Sequence, residues 1–209
     1  MHRLHHTYKV SRKTIFYVKE YGPHSNVVKT IIRESIKILL FSAIISSFGG
    51  LAVEQIKALF ISIIPLLILL PTLNDLIGDY GTIIASRFST MLHEGKIKEK
   101  WWINAELKKL YVQILIIALI TSISSAAVAL LISHVSHYTI SSALAFKIFL
   151  AVILDVVLLI SILFVISVLA GLYFFRKKED PNNFLIPIIT SVADFGNMLL
   201  LSAIVIALF

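Results

Sequence analysis

The feature that most constrains this chain is a series of apolar stretches, each long enough to cross the hydrocarbon core of a bilayer as a helix. A crossing helix needs roughly 20 mostly apolar residues, and five stretches reach about that length: 35–53, 58–79, 110–133, 145–175 and 184–209. Only 15% of the residues are charged and 58% are apolar, which excludes an ordinary soluble domain. The absence of cysteine excludes a disulfide scaffold. The sequence therefore predicts an all-α integral membrane protein with five transmembrane helices.

The basic residues predict how these helices are oriented. Of the 19 Lys and Arg residues, 17 lie before or at the start of the first stretch, between the second and third, or after the fourth. Only Lys57 and Lys147 belong to the opposite side. Because positively charged loops stay in the cytoplasm, we expect a cytoplasmic N-terminus, an outer C-terminus and a multi-pass location in the cell membrane.

Residues 1–34 form a basic segment with interleaved aromatic side chains, which has two interpretations. Such a composition can bind nucleic acid, or it can lie on anionic lipid with its Lys and Arg toward the headgroups. The orientation bias already accounts for the charge, so we expect a cytoplasmic or interfacial segment whose partner is membrane lipid and not nucleic acid. The chain also lacks the HExxH, GxSxG and phosphate-loop signatures, and we do not expect an enzyme.

Four acidic residues lie within the predicted spans, and no Lys or Arg lies at a comparable depth to neutralise them. They are Asp75, Asp79, Asp155 and Asp194. An ionisable group at the centre of a transmembrane helix costs roughly 2.5–3.5 kcal/mol on insertion scales, so each is a candidate functional residue. Surplus negative charge in a low dielectric either holds protons or attracts cations.

The last span carries its polar residues along one helical face, with Asp194 near the middle of the span. The residues on this face are Pro187, Thr190, Ser191, Asp194, Asn197 and Ser202. A polar stripe on an otherwise apolar helix is typical either of the wall of a wet cavity or of a buried seam that holds helices together. Hydroxyl groups alone would suit the seam, but a carboxylate near mid-membrane favours the cavity.

The second span has a comparable face. It carries Pro71, Asn74, Asp75, Gly78 and Thr82, with Asp79 beside them. Carboxylate, amide and backbone carbonyl oxygens are the ligands that hard cations prefer, and Pro and Gly can loosen a helix so that carbonyls face a cavity. Asp155 in the fourth span has two open interpretations: it extends a cation path, or it pairs with a polar group on another helix.

Two segments resemble the motifs of a known family. Gly78-Asp79, followed by Ala-Ser-Arg-Phe-Ser-Thr at 85–90, looks like the Gly-Asn … Ala-Ser-Arg-Leu-Ser-Thr segment of the solute-carrier family 41 magnesium transporters, which are related to the bacterial MgtE magnesium channels. Residues 180–194, from Asp-Pro-Asn-Asn through Pro187 to Asp194, are similar to that group's Asp-Pro-x-Asn … Pro-x-x-x-Ser/Thr-x-x-Asp motif. The resemblance covers about residues 35–209.

This resemblance implies a five-helix transport domain over residues 35–209, two copies of which enclose a pore. It implies that magnesium passes along their interface, that Asp194 of each copy holds the ion, and that Thr190 lines the ion site. Asp79 corresponds to an asparagine of the family, a departure that adds a negative charge, and Ile186 stands where the channels have an asparagine. Because about 34 residues precede the first span, we also expect no soluble sensor domain in this chain.

These features together predict a channel or transporter for a divalent cation, with Mg²⁺ as the expected ion and a homodimer as the working unit. The expected ion-site residues are Asp194, Thr190, Asp79, Asp155 and Asn197, and the expected pore-lining residues are Pro187, Ser191, Asn74, Asp75 and Gly78. Two alternatives remain open. One is a sodium- or proton-coupled exchanger, and the other is a non-transporting membrane subunit whose polar stripes pack against partner helices.

Overall fold

In the computed structural model, every regular element of the described residues is helical. The structure describes residues 27–97, 101–177 and 180–209, except for the side chains of 27–31, 33–35 and 37. The helices are α1 (Val27–Gln55), α2 (Lys57–Ser62), α3 (Ile64–His93), α4 (Ala105–Val135), α5 (Ser142–Arg176) and α6 (Pro181–Leu208), with a 3₁₀ turn at Trp101–Ile103. The all-α class is therefore confirmed. Of the predicted basic segment 1–34, residues 1–26 lie outside the described residues, and the remainder belongs to α1.

Among the residues that the structure describes, four helices are both long enough and apolar enough to cross a membrane. They are α1 over Ile38–Gln55, together with α4, α5 and α6 over their full lengths. These helices make the chain a multi-pass membrane protein. Helix α3 is 30 residues long, but Asn74, Asp75 and Asp79 lower its hydropathy, so it does not meet the same criteria. The fifth span, and with it the orientation of the two termini, stays a prediction.

The second predicted span is wrong in its bounds, because two helices occupy the region where one helix is predicted over 58–79. Helix α2 ends at Ser62, and Ile63 leaves the helical conformation with φ −115° and ψ 85°. Pro65 lies in the first turn of α3, where its missing N–H has no intrahelical partner to lose. Helix α3 then continues to His93, so the motif at 85–90 lies on a helix and not in a connection.

The starts of α4, α5 and α6 are set by capping side chains. Asn104 accepts hydrogen bonds from the backbone N–H groups of residues 106 and 107, and Ser141 accepts one from residue 144. Asp180 caps α6 by accepting from the N–H of Asn182, and Pro181 is the first helical residue. An acceptor followed by proline is a favourable helix start. The Asp-Pro pair of the second motif therefore determines where α6 begins.

Helix α6 is the centre of the packing, because it contacts α1, α3 and α5. Two glycines allow the close approach of these helices. A Cβ at Gly81 of α3 would lie 2.5 Å from Cγ2 of Ile189, and a Cβ at Gly171 of α5 would lie 2.6 Å from the ring of Phe88. Small residues let helix backbones approach within van der Waals contact. As a result, α3 and α6 lie side by side over the length that carries their polar faces.

Helix α1 contacts α6 through a stripe of small residues. Ser42, Ser46 and Gly49 are spaced so that they share one helical face, and all three meet α6. The opposite face carries large apolar side chains, including Leu40 and Phe48, that are 63% and 56% exposed. This face is suited to contact with lipid or with another protein chain, while the small face completes one side of the region described next.

Candidate cation site

The polar faces of α3 and α6 meet along an open groove with a volume of about 540 Å³. The predicted site residues that line it are Asp194, Thr190, Asp79, Asn74, Asp75 and Gly78. Leu70, Pro71, Thr82 and Met198 complete its wall. A Cβ at Gly78 would meet no atom within 4 Å, so this glycine leaves space in the groove. The structure therefore brings together polar residues from two segments that are more than 100 positions apart in sequence.

Asp194 is partly buried and is held by side chains from two other helices. Nδ2 of Asn74 on α3 donates to its Oδ1 at 2.8 Å. The hydroxyl of Ser46 on α1 donates to its Oδ2 at 3.2 Å. A carboxylate can accept about four hydrogen bonds, so Asp194 keeps acceptor capacity toward the groove. Its position is determined by the packing of α1, α3 and α6 together.

Asp75 and Asp79 are exposed in the same groove. Within the part of the chain that the structure describes, neither they nor Asp194 have a Lys, Arg or His nitrogen within 4 Å. The described part of the groove thus gathers three carboxyl groups with no basic group in contact, an arrangement that attracts cations.

Two threonines add hydroxyl oxygens to the groove wall. Thr82 donates its proton to the carbonyl of Gly78 at 3.0 Å, and Thr190 donates to the carbonyl of Ile186 at 3.0 Å. Because each hydroxyl proton is directed to the backbone, the oxygen lone pairs are left as acceptors. Thr190 therefore contributes a neutral oxygen to the same groove as Asp194.

Asn197 and Asp155 lie behind the groove and do not line it. Both are fully buried, at 0% exposure. Nδ2 of Asn197 donates to Oδ1 of Asn74 at 3.1 Å, and with its amide reversed it donates instead to Oδ2 of Asp155 at 2.8 Å. In either orientation, the Asn197 side chain lies between Asn74 and Asp155. Asp155 on α5 therefore has a polar side chain of α6 beside it, and its predicted part in a cation path is untested.

The backbone carbonyl of Pro187 is a shared hydrogen-bond acceptor, and Ser191 is one of its donors. The carbonyl oxygen of Pro187 accepts from Ser42 at 3.1 Å, from Thr190 at 3.1 Å and from Ser191 at 2.6 Å. Ser191 is only 3% exposed, and neither it nor Pro187 is part of the groove wall. Their predicted pore-lining role is untested. In the structure, both residues lie where α1 contacts α6.

Ser46 and Ser42 are the polar contacts that the sequence does not predict. Each lies on the first span, whose hydroxyls are scattered among apolar residues and form no conspicuous stripe. The signal that could find them is the spacing of small residues at 42, 46 and 49, which places them on one face. Their partner helix could not be identified without the three-dimensional packing.

The carboxylates of one chain do not form a complete coordination shell. Within the described residues, no group of three or more His, Cys, Asp or Glu side chains is close enough to hold a metal ion. The groove is an open surface of a single copy. Its acidic side chains can therefore interact with a cation that keeps its water, or with one that has further ligands from elsewhere.

A family model matches the part of the chain that forms this groove. The model of the MgtE family, which is described as a divalent cation transporter, matches residues 70–204. This range contains every residue that lines the groove, together with α4, α5 and most of α6. No curated protein and no solved structure matches the chain. Because the match covers more than half of the sequence, the chain belongs to the MgtE family of divalent cation transporters.

Proposed function

We propose that this chain moves Mg²⁺ across the cell membrane through a passage formed where the α3–α6 grooves of two copies face each other. The observation that carries the proposal is the groove itself. It combines Asp75, Asp79 and Asp194, which have no basic partner in the described residues, inside the range that matches a cation transporter family. In this arrangement the N-terminus is cytoplasmic, as the distribution of basic residues predicts.

The donor set of the groove supports a hard divalent cation. Its polar wall offers carboxylate, amide and hydroxyl oxygens, and the chain contains no cysteine. Mg²⁺ prefers oxygen ligands, dehydrates reluctantly and is usually bound by one or two carboxylates plus water. At about 30 Å³ per water molecule, the groove volume of about 540 Å³ exceeds that of an ion with six waters. Asp194, Asp79 and Thr190 would then contact the ion directly or through its water.

The open shape of the groove supports a homodimer. In one copy, Asp75 and Asp79 are exposed on the side of the helix pair, and exposing carboxylates to hydrocarbon is costly. A two-fold related copy places the same surface opposite, which would enclose the carboxylates and supply the ligands that one chain lacks. The two Asp194 side chains would then lie on either side of the ion path.

The experiment is uptake of Mg²⁺ into liposomes that contain the purified protein. We expect saturable uptake by the wild type and a loss of at least about tenfold for Asp194→Asn, since the neutral amide removes a charge-assisted contact with the ion. Glu54→Gln is the matched control, because Glu54 pairs with Lys57 away from the groove and should leave uptake unchanged. Equal uptake by wild type and Asp194→Asn would refute the site, and no uptake by either would favour a non-transporting subunit.

Two further arms of this experiment separate the remaining alternatives. Uptake that persists without sodium or pH gradients supports passive movement, whereas dependence on either gradient favours a coupled exchanger. The dimer is tested by introducing one cysteine, because the native chain has none. Met198→Cys lies in the groove and should crosslink between copies, while Val128→Cys on the exposed surface of α4 should not. The reverse pattern would contradict the proposed interface.

A further inference from the structure

We propose that Asp155 and Asn197 are positioning residues for the cation site and not ligands of the ion. They hold the amide of Asn74 in the orientation that donates to Asp194. This inference rests on the proposed cation site at Asp194. It assigns a role to the only acidic residue among the four intramembrane candidates that does not reach the groove.

The first argument is the continuity of the contacts. Asn74 uses its two amide ends in opposite directions: Nδ2 donates to Asp194 at 2.8 Å, and Oδ1 accepts from Asn197 at 3.1 Å. In that same orientation, Oδ1 of Asn197 lies 2.8 Å from Oδ2 of Asp155. Because two oxygens at this distance need a proton between them, the contact is made by a protonated Asp155 that donates to Asn197. The four side chains thus form one line from α5, through α6 and α3, to the groove.

The second argument is burial. Asp155 and Asn197 are both 0% exposed, whereas Asn74 and Asp194 are partly exposed and line the groove. An ion in the groove can reach Asn74 and Asp194 but is separated from Asp155 by two amide side chains. Direct coordination by Asp155 would require α5 and α6 to separate around a buried core that includes Leu159 and Ala193.

The third argument is that Asp155 has no other polar contact in the described residues. Its Oδ1 is buried without a hydrogen-bond partner, and no Lys, Arg or His nitrogen lies within 4 Å. Burying a polar group with incomplete hydrogen bonding is unfavourable. Asn197 is therefore the one residue through which Asp155 can act on the site.

The expected effect on ion binding follows from the rotational freedom of the Asn74 side-chain amide. The terminal torsion of asparagine is broad and roughly two-fold, so an amide held at only one end can reverse. If Asn74 reversed, its oxygen would face the oxygen of Asp194 instead of its N–H. Two oxygens at hydrogen-bond distance with no proton between them repel, so Asp194 would be displaced. We therefore expect loss of the buried pair to weaken ion binding and to leave the maximal rate largely intact.

The experiment compares Asp155→Ala with Asp155→Asn in the liposome assay over a range of Mg²⁺ concentrations. Loss of one hydrogen bond predicts a rise of about three- to tenfold in the half-saturating concentration for Asp155→Ala. Asp155→Asn should remain within about twofold of the wild type, because an amide can pair with either end of Asn197. Ser167→Ala is the matched control, since Ser167 is also fully buried on α5 but has no contact with the site.

A double variant tests whether the effect of Asp155 on ion binding passes through Asn74. In an Asn74→Ala background, Asp155→Ala should cause no further rise, because its influence passes through Asn74. A further rise of the same size would overturn the inference. So would an unchanged half-saturating concentration for folded Asp155→Ala. A loss in Asp155→Asn as large as in Asp155→Ala would also overturn it, because it would indicate that the carboxyl group acts on the ion directly.

Two controls keep the outcome interpretable. If Asp155→Ala does not fold, Asn197→Ser interrupts the same line from α6 and should give the same rise, and a wild-type value would refute the positioning role. The proposed function is tested separately by Asp194→Asn. Loss of uptake in that variant together with wild-type behaviour of folded Asp155→Ala would leave the cation site standing and remove only the present inference.

Discussion

Asp194 and Asp155 are both carboxylic side chains on long apolar helices, yet the structure places them in very different surroundings. Asp194 is partly exposed in an open groove and accepts hydrogen bonds from two helices. Asp155 is fully buried, and among the described residues its one polar neighbour is the side chain of Asn197. The two are joined by a line of two asparagines. Similar acidic residues therefore occupy separate environments, one open to the groove and one buried behind it.

The comparison extends to the polar stripe of α6. Thr190 and Asp194 face the groove, whereas Ser191, Asn197 and Ser202 are buried against neighbouring helices. The stripe is therefore both a cavity wall and a buried seam. The reason is that α6 contacts helices on several sides, so a stripe as wide as one helical face extends beyond the groove.

We expect the largest effect from a substitution that fills the groove. Gly78→Leu places a side chain in the space that the glycine leaves open, and we expect Mg²⁺ uptake to fall to nearly the background of empty liposomes. The thermal unfolding midpoint in detergent should change little, because no atom lies within 4 Å of the added Cβ. Gly50→Leu is the control, as Gly50 is also open but lies on α1. Equal uptake by both variants would contradict a path through the groove.

A smaller effect, on stability, should follow from a change in the buried contacts between α3 and α5. Gly171→Ala brings a Cβ to 2.6 and 2.8 Å from two ring atoms of Phe88. Overpacking of this kind costs about 1–3 kcal/mol, so the thermal midpoint should fall while the half-saturating Mg²⁺ concentration of the folded protein stays constant. Gly50→Ala, which meets no neighbour, should be neutral or slightly stabilising. A changed ion affinity in Gly171→Ala would mean that the two regions are coupled.

The smallest effect is expected for the hydroxyl that holds Asp194 from α1. Ser46→Ala removes the donor to Oδ2 of Asp194 but leaves Asn74 in place. Loss of one of two donors predicts a rise of about two- to fivefold in the half-saturating Mg²⁺ concentration. Ser47→Ala is the control, because the Ser47 hydroxyl donates only to a carbonyl of its own helix. A rise of the same size in both variants would remove Ser46 from the site.

Much of the fold could be predicted from hydrophobicity. Long apolar stretches predict helices, and α1, α4, α5 and α6 each contain the expected stretch. The boundaries in the second span could not be predicted in the same way. A new helix begins there at Ile64, with Pro65 in its first turn. Helix α3 then extends through polar residues to His93, because helical hydrogen bonding continues where hydropathy falls. The resemblance to MgtE proteins was confirmed by the family match over residues 70–204.

The chain by itself determined the membrane class, the candidate acids and the family motifs, because these depend on composition and on local spacing. Only the tertiary structure decided which acids share a surface. Helical periodicity places Asn197 and Asp194 on one stripe, but the packed helices bury the first completely while the second faces the groove between α3 and α6. Ser46 is the clearest case, since nothing near it in sequence indicates the carboxylate that it contacts 148 positions away. Burial and contact depend on which helices are neighbours, and that is determined by packing across the whole chain.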